Sequence, residues 1–526
     1  MTRRGRLARA LPALRLGIMV LGAIAAGAAG ATTRPNRQDP VLVRVANDPT
    51  ISFRLWFKVG AQDDPPGKEG LAALTAAMLT DAATQKNSYE QILDQLFPLA
   101  SSFHASTSME MTVIHGRTHR DNLADFYPLL VDAVVAPAFK PEDLERLRSR
   151  TLNMLENTLR FSSDEELGKA VLYHEIFAGT PYGHLAAGTI AGLKSITVDD
   201  IRNFHTTHFT RENVVIGLGG GFDSNTGAPA TGGNVTPQNV LARLSGDLAK
   251  LPPGAPATVP PPEPRAIRGL RVTLVEKNAA STAISLGFPL GVLRSSREWY
   301  ALAIANSWLG EHRSTSARLF QVIRDLRGLN YGDYSYLEHF PNGGQRFVPP
   351  QNVSRRRQIF EIWIRPVPHE ARHFALRAAM RELQLLIDRG MSQEDFNLKR
   401  NFLKKYVLHY APTTMERLGY ALDDVFYGLE ESHITRFRRM MDELTLEEVN
   451  AAIRKHWQAK NVQIAIVTQD AAAFADALVN DQPSPISYSS PKPDAVLEED
   501  KLIRNFPLKV LRENVRIVPV AELFVK

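Results

Sequence analysis

Apolar positions recur along this chain at two spacings, and the two spacings alternate. Short, nearly continuous apolar runs predict strands at 51–60 and within 272–288. Apolar residues three and four positions apart predict amphipathic helices at 121–135 and 370–387. Strands separated by helices that return to one sheet indicate layers of α+β or α/β type.

The pattern occurs twice in the chain. Three elements of the first half recur in the second at a nearly constant offset of roughly 250 residues, which indicates duplication. Thr197 and Thr445 are equivalent residues in one pair of repeated segments. Each is predicted to cap a helix, because an acidic residue follows two or three positions later. The repeated segments are 139–144 with 391–396, 196–201 with 444–449, and 213–216 with 461–464.

A proline-rich segment separates the two copies. Residues 252–264 hold seven prolines in thirteen positions, a stiff and extended composition that cannot enter the interior of a sheet. The periodic pattern weakens after Gln469, and a possible strand follows at 515–520. The predicted division is a signal peptide at 1–31, a first domain at 40–250, a linker at 251–268, a second domain at 269–475 and a C-terminal extension at 476–526.

The first thirty residues have the composition of an export signal. Five arginines and no acidic residue surround the start of an apolar run at 16–26, and Ala29-Gly30-Ala31 has the form of a cleavage site. The run is too short to span a bilayer comfortably, which favours cleavage over anchoring. The protein is therefore predicted to be periplasmic or otherwise exported. The Arg3-Arg4 pair leaves Sec and twin-arginine export both open.

Composition excludes several kinds of chemistry. Because the chain has no cysteine, it can form no disulfide, no thiolate nucleophile and no cysteine-ligated zinc site. The formal charge of +6 falls close to neutrality once the five signal-peptide arginines are removed, so charge gives no indication of nucleic-acid binding. No later apolar run is long enough for a membrane span, and none is expected after signal cleavage.

Several motifs occur in a consistent order, at 59–72 and at 179–183 with 188–189 in the first half, and at 319–331 in the second. Together they resemble the pitrilysin/insulinase family, the inverzincins. Residues 59–72 are similar to the segment that leads into the family's zinc helix, and 319–331 resembles the family's signature. The resemblance covers roughly residues 45–475. It implies two homologous domains, each a mostly antiparallel sheet covered by helices, which together form one half of a clam-shell of α+β class.

The zinc motif of that family is missing. An inverzincin binds zinc through the two histidines of H-x-x-E-H on one helix, and the glutamate acts as general base. Aligned on Gly70-Leu71-Ala72, these positions fall on Ala73, Ala76 and Ala77, and the third ligand would fall near 153–154. Methyl groups neither bind zinc nor move a proton. No cofactor is therefore expected in this chain, and zinc is expected in a partner subunit.

An arginine and a tyrosine of the family signature are retained as Arg324 and Tyr331. Gly328 is predicted to end the helix that carries the arginine, and a tyrosine-rich strand is predicted at 329–336. The resemblance implies that Tyr331 hydrogen-bonds the scissile carbonyl or its developing oxyanion, and that Arg324 holds a substrate carbonyl. The alternative is an arginine at a helix C-terminus and an ordinary strand aromatic. Segment 310–316 has one glycine where the family has a glycine-rich loop.

Two further motifs resemble known sites. His369-Glu370-Ala371-Arg372-His373 matches the zincin motif H-E-x-x-H. It follows Pro366 and Pro368, so we predict a solvent-exposed first helical turn without a third ligand, and an independent zincin is the less favoured alternative. The glycine-rich run 217–221 is predicted to be a turn, because Phe222 breaks the nucleotide-binding pattern.

The sequence thus predicts the non-zinc subunit of a heteromeric periplasmic peptidase. It would be inactive alone and would contribute to metalloendopeptidase activity with a zinc-bearing insulinase-like homologue. The substrate would be an unfolded peptide, since a closed chamber excludes folded proteins. The alternative is a peptide-binding scaffold without a catalytic share.

Overall fold

The computed structural model of the chain describes residues 39–222, 235–256 and 258–526. The predicted signal peptide lies outside these residues. The described residues belong to one compact unit. Within the part of the chain that the structure describes, every helix is too short or too polar to cross a bilayer.

The first half supplies a five-stranded sheet and eight helices among its described residues. In β2, the even-numbered and odd-numbered side chains point to opposite faces, both of them buried. The strands are β1 (Val41–Arg44), β2 (Thr50–Phe57), β3 (Ser102–Thr107), β4 (Thr112–His119) and β5 (Val214–Gly220). The helices are α1 (Leu71–Thr80), α2 (Tyr89–Leu96), α3 (Leu123–Val135), α4 (Pro141–Asn153), α5 (Asp164–Phe177), α6 (Ile190–Ser195), α7 (Val198–His208) and α8 (Pro237–Leu248). A π-helical segment, Met154–Ser162, continues α4.

The second half supplies the other sheet. Its strands are β6 (Leu270–Glu276), β7 (Thr282–Leu290), β8 (Asp333–Tyr336), β9 (Gln358–Val367), β10 (Val462–Thr468) and β11 (Val515–Pro519). Its helices are α9 (Arg297–Gly310), α10 (Arg372–Arg389), α11 (Gln393–Tyr406), α12 (Thr414–Tyr427), α13 (His433–Glu443), α14 (Leu446–His456), α15 (Ala471–Val479) and α16 (Asp494–Arg504). A short π-helical segment, Phe320–Asp325, lies between α9 and β8.

Strand order confirms the duplication. The first sheet runs β1-β5-β2-β4-β3, and the second repeats that order as β6-β10-β7-β9-β8 with β11 added outside β6. In both sheets the first pair is parallel and the next three pairs are antiparallel. The capping predictions are also confirmed, since the hydroxyl of Thr197 accepts from Asp200 N and that of Thr445 accepts from Glu448 N.

One helix of each half packs on the sheet of the other half. Helix α5 lies against β7 and β10, and α12 lies against β1, β2 and β5. Leu167 belongs to the same buried cluster as Val467, and the ring centroid of Phe426 lies 5.9 Å from that of Trp56. Each sheet therefore has one face covered by its own helices and the other covered by a helix of its counterpart.

The glycine-rich run after residue 216 is not a turn, and that prediction is wrong. Gly217 to Gly220 form the end of β5, which pairs with both β1 and β2. A Cβ atom on Gly219 would come within 2.8 Å of Thr414 Cγ2 in α12. Because these glycines have no side chains, α12, the helix that the second half packs on this sheet, can approach the strand closely.

The C-terminal extension packs on both halves. Strand β11 pairs in parallel with β6, at the position predicted for a strand. The chain then returns to the first half, where Ile190 N donates to Phe524 O at 2.9 Å and Ala191 N donates to Val525 O at 2.9 Å. The side chain of Phe524 is buried.

Candidate functional site

Helix α1, which carries the alanines at the predicted zinc-motif positions, begins at a well-defined N-cap. Gly70 stands at the N-cap with φ of 106°, a conformation that favours glycine. The Asp64 carboxylate accepts from Gly70 N and from Ala72 N, both at 2.7 Å, and so satisfies two of the free N–H groups at the helix start. Alanine then continues the helix because it has the highest helix propensity.

The three alanines at the lost motif face one cavity. This cavity has a volume of about 440 Å³ and lies between α1, β3 and the end of α4. Met154, next to the expected third-ligand position, lines it as well. Its further lining includes Thr80, Ala105, Thr107, Thr151, Ala186 and Ala187. The structure thus brings the predicted positions together around a space walled mainly by methyl and hydroxyl groups.

The residues around this cavity do not fit a zinc ion. The charged side chains that line it are Asp81 and Arg150, which pair with each other at 2.7 Å. Zinc in an inverzincin needs imidazole and carboxylate ligands that are free to bind it. Among the described residues, no group of three or more His, Cys, Asp or Glu side chains could hold a metal ion.

Arg324 and Tyr331 lie against each other. The guanidinium carbon of Arg324 lies 4.4 Å from the ring centroid of Tyr331 and 4.7 Å from that of Phe320. Arg324 Nη1 donates to the backbone oxygen of Tyr331 at 2.6 Å. The side chain of Arg365 covers the same tyrosine ring at 5.3 Å. Tyr331 is nevertheless 68% exposed, so its position is fixed by two arginines while its surface remains accessible.

The predicted strand begins later than expected. Gly328 has φ of 71°, which confirms its place after the helix. However, β8 starts only at Asp333, and Tyr331 lies in the bend before it. The Asn330 side chain holds this bend by donating to Asp333 Oδ1 at 2.7 Å and to Arg365 O at 3.0 Å. The interpretation of Tyr331 as an ordinary strand aromatic is therefore wrong.

Ion pairs from distant segments fix the surroundings of Arg324. Arg327 is buried, and it donates to Asp500 at 2.8 Å and to Glu499 at 3.0 Å. Both acids belong to α16 of the C-terminal extension. Arg365 donates to Glu165 of α5 at 2.8 Å. Sequence reasoning missed these carboxylates because no local motif marks them. Only folding brings them close to the segment that carries Arg324.

The H-E-x-x-H segment does not form a metal site. His369 lies in a 3₁₀ turn before α10, with Nδ1 2.8 Å from Thr282 Oγ1 and Nε2 2.9 Å from Ala279 O. His373 is buried beside Phe474, and burial lowers its pKa to about 4. The predicted solvent-exposed position is wrong for His373. Because α10 begins only at Arg372, the two histidines do not share one regular helical face.

The fold and the emptied cavity define a peptidase-like chain whose zinc site has been lost. The family description "Insulinase (Peptidase family M16)" matches residues 41–184, and "Peptidase M16 inactive domain" matches residues 230–403. The chain belongs to this insulinase family, as a member that lacks the zinc ligands.

Relatives and solved structures agree with this assignment. The chain is 24% identical over 383 residues to an uncharacterised zinc protease of Streptomyces coelicolor, covering 72% of this chain and 76% of the relative. It is 22% identical over 424 residues to the non-peptidase homolog YmxG of Helicobacter pylori, covering 79% of this chain and 88% of the relative. The crystal structure of a peptidase M16 inactive domain from Pseudomonas fluorescens superimposes with a TM-score of 0.69 at 23% identity, covering 83% of this chain and 97% of the other. The predicted fold of two homologous α+β halves is confirmed.

Proposed function

We propose that this chain is the zinc-free subunit of a periplasmic two-chain peptidase. A zinc-bearing insulinase-like partner would close over it, and Arg324 and Tyr331 would bind the substrate peptide opposite the partner's zinc. The observation that supports this most is a contrast within the chain. The first-half cavity has alanine at the three motif positions and its one carboxylate is paired with Arg150, whereas the second half presents an arginine–tyrosine pair at an exposed bend.

The pair has the chemistry that peptide hydrolysis requires of a supporting subunit. A phenol and a guanidinium both donate hydrogen bonds to a carbonyl oxygen that gains negative charge. Arg324 commits Nη1 to the backbone of Tyr331. Within the described residues, its Nε and Nη2 donate to no other group. Because the donors are already positioned, little ordering is needed when a peptide arrives.

An open strand edge favours a second candidate, a peptide-binding scaffold. Strand β3 is the last strand of the first sheet and pairs only with β4 among the described residues. Ala105 and Thr107 of this strand line the emptied cavity. An extended peptide could add to this edge through backbone hydrogen bonds. The scaffold hypothesis needs neither a zinc partner nor the Tyr331 hydroxyl.

The test is reconstitution with a fluorogenic unfolded peptide. The purified chain alone should cleave nothing, and mixing it with a zinc-bearing insulinase-like homologue from the same cell should give cleavage. Tyr331→Phe should lower kcat in the mixture by about 10² or more, if its hydroxyl stabilises the oxyanion.

A matched control is Tyr89→Phe in α2. Tyr89 also lies under an arginine, with the Arg146 guanidinium carbon 4.7 Å from its ring centroid, and its loss of a hydroxyl should leave cleavage unchanged. Full activity of the Tyr331→Phe mixture would remove the proposed role. Peptide binding by the lone chain, with no gain of cleavage on mixing, would favour the scaffold.

A further inference from the structure

The second half contains a cavity at the position equivalent to the first-half cavity of the lost zinc motif. The first cavity lies between α1, β3 and the end of α4. Duplication places α9, β8 and the end of α11 in the equivalent positions. A cavity of about 80 Å³ lies there, and α9 lines it through Trp299, Ala303 and Asn306. At the other wall stand Leu403 and Tyr406 of α11.

The walls of this second cavity are aromatic, and its mouth reaches the surface. Aromatic rings from helices, a strand and a loop line it, among them Trp299, Tyr336, Phe347, Tyr406, Tyr410 and Phe437. Phe347 is 68% exposed. The Tyr406 hydroxyl donates to Phe347 O at 3.2 Å, which fixes the backbone at this rim. The cavity is thus a narrow aromatic space entered past Phe347.

Polar atoms without partners also line the cavity. Trp299 Nε1, Asn306 Oδ1, His339 Nδ1 and Arg294 Nη1 are buried and make no hydrogen bond within the described residues. Buried polar atoms normally find a partner in protein, water or ligand, and empty cavities are usually apolar. These unpaired atoms therefore indicate that water or a ligand occupies the cavity in the functional protein.

One acidic side chain at the cavity has no ion-pair partner among the described residues. Arg294 is neutralised by Glu338, which accepts from its Nε at 3.1 Å and from its Nη2 at 2.7 Å. This leaves the carboxylate of Glu311, which forms no ion pair among the described residues. Burial raises the pKa of Glu311 to about 7, although Lys399 nearby favours the ionised form. The Lys399 ammonium itself donates to Ser316 O and Oγ at 2.9 Å.

The histidines at the cavity do not supply the missing positive charge. Burial lowers the pKa of His312 to about 4. Burial also lowers the pKa of His339 and of His433 well below the usual range. All three imidazoles are therefore neutral near pH 7, so none of them is an ion-pair partner for Glu311 when its carboxyl ionises.

We propose that this cavity binds a small organic cation, an ammonium or guanidinium group on a short aliphatic stem. Glu311 would neutralise the charge, and the aromatic walls would contact the cation and its stem. Water could satisfy the unpaired polar atoms, whereas a bound cation would in addition stabilise the ionised form of Glu311. The volume corresponds to roughly five to eight water-sized positions, which suits a head group and stem of about five heavy atoms.

The test is isothermal titration calorimetry on the full-length protein with n-butylammonium chloride. 1-Butanol has the same number of heavy atoms without the charge, and butyrate reverses the charge. The amine should bind at least tenfold more tightly than either. The preference should fall below about twofold in Glu311→Gln. It should persist in Glu370→Gln, which removes an exposed carboxylate outside the cavity.

A second pair of ligands distinguishes a free amine from a lysine side chain. The peptide acetyl-Gly-Lys-Gly-amide is compared with its norleucine analogue. Tighter binding of the lysine peptide than of butylammonium indicates a polypeptide source, and the reverse indicates a free amine. Both results support the site.

The rim variant Phe347→Ala keeps the test decisive if Glu311→Gln does not fold. Since Phe347 is exposed, folding should not depend on it, and amine affinity should fall about two- to fivefold. The proposal is overturned by equal affinity for butylammonium and butanol, by an undiminished preference in Glu311→Gln, by unchanged affinity in Phe347→Ala, or by no binding of amine or lysine peptide at millimolar concentration.

Discussion

A buried ion pair across the two halves offers the sharpest test of how they are joined. Glu110, in the turn between β3 and β4, is fully buried. Its carboxylate accepts from Arg356 N at 2.7 Å, from Arg356 Nε at 2.5 Å and from the Tyr182 hydroxyl. Arg356 precedes β9 in the second half and is itself 4% exposed. Glu110→Gln would keep the side-chain size while leaving a buried guanidinium without its counter-charge.

The expected loss is large because burial prevents water from replacing the carboxylate. Removing one partner of a buried pair costs about 3–5 kcal/mol. The next arginine supplies a matched control, because Arg357 pairs with Glu263, whose side chain is 80% exposed. Glu263→Gln should cost about 0–1 kcal/mol. Replacing Glu110 and Arg356 together by methionine should recover much of the loss, since no unpaired charge remains.

Urea unfolding followed by tryptophan fluorescence measures these differences. Trp56 reports on the first sheet and Trp363 on the second, and both are fully buried. For Glu110→Gln we expect a lower unfolding midpoint at a similar slope. If Glu110→Gln costs no more than Glu263→Gln, the reasoning that this pair stabilises the contact between the halves is refuted.

Two further predictions concern acid stability and the lost metal site. Burial lowers the pKa of His205 to about 4, so below pH 6.5 the unfolded chain binds a proton that the folded chain does not bind, and the free energy of unfolding falls as pH drops from 6.5 to 4. In urea unfolding, the stability of His205→Phe relative to the wild type should therefore be greater at pH 5 than at pH 7.5 by about 2 kcal/mol. A pH-independent difference would contradict this. The third prediction restores the zinc motif with the quadruple variant Ala73→His, Ala76→Glu, Ala77→His and Met154→Glu. Because all four positions line one cavity, elemental analysis should find about one zinc ion per chain. If the variant binds no zinc, the four side chains do not converge on one point.

Much of the fold could be predicted because its signals are local. The capping threonines, the helix-ending Gly328 and the repeated segments are each visible within a few residues, and the structure confirms them. The exchange of α5 and α12 could not be predicted, since it depends on which sheet a helix meets after folding. The same contact explains the wrong prediction at Gly217, where a strand needed glycine for a close helix rather than for a turn.

The candidate site divides in the same way. Arg324 and Tyr331 could be found because they lie seven positions apart in a recognisable signature. Their contact and the bend that exposes Tyr331 depend on Asn330 and Arg365, whose roles appear only in the folded chain. Glu311 gave no signal as a binding residue, because its cavity is assembled from helices, strands and loops that are distant from one another in the sequence.

The exchange of α5 and α12 has a consequence for how such a chain could arise. Either half, taken without its counterpart, would leave one face of its sheet bare, a broad apolar surface of the kind that drives association. A single-copy ancestor would hide that face by trading helices with a second copy of itself, as a swapped homodimer with two-fold symmetry. Gene fusion would then have preserved an existing partnership, and afterwards the two copies could diverge, one losing its metal ligands and the other keeping its arginine and tyrosine.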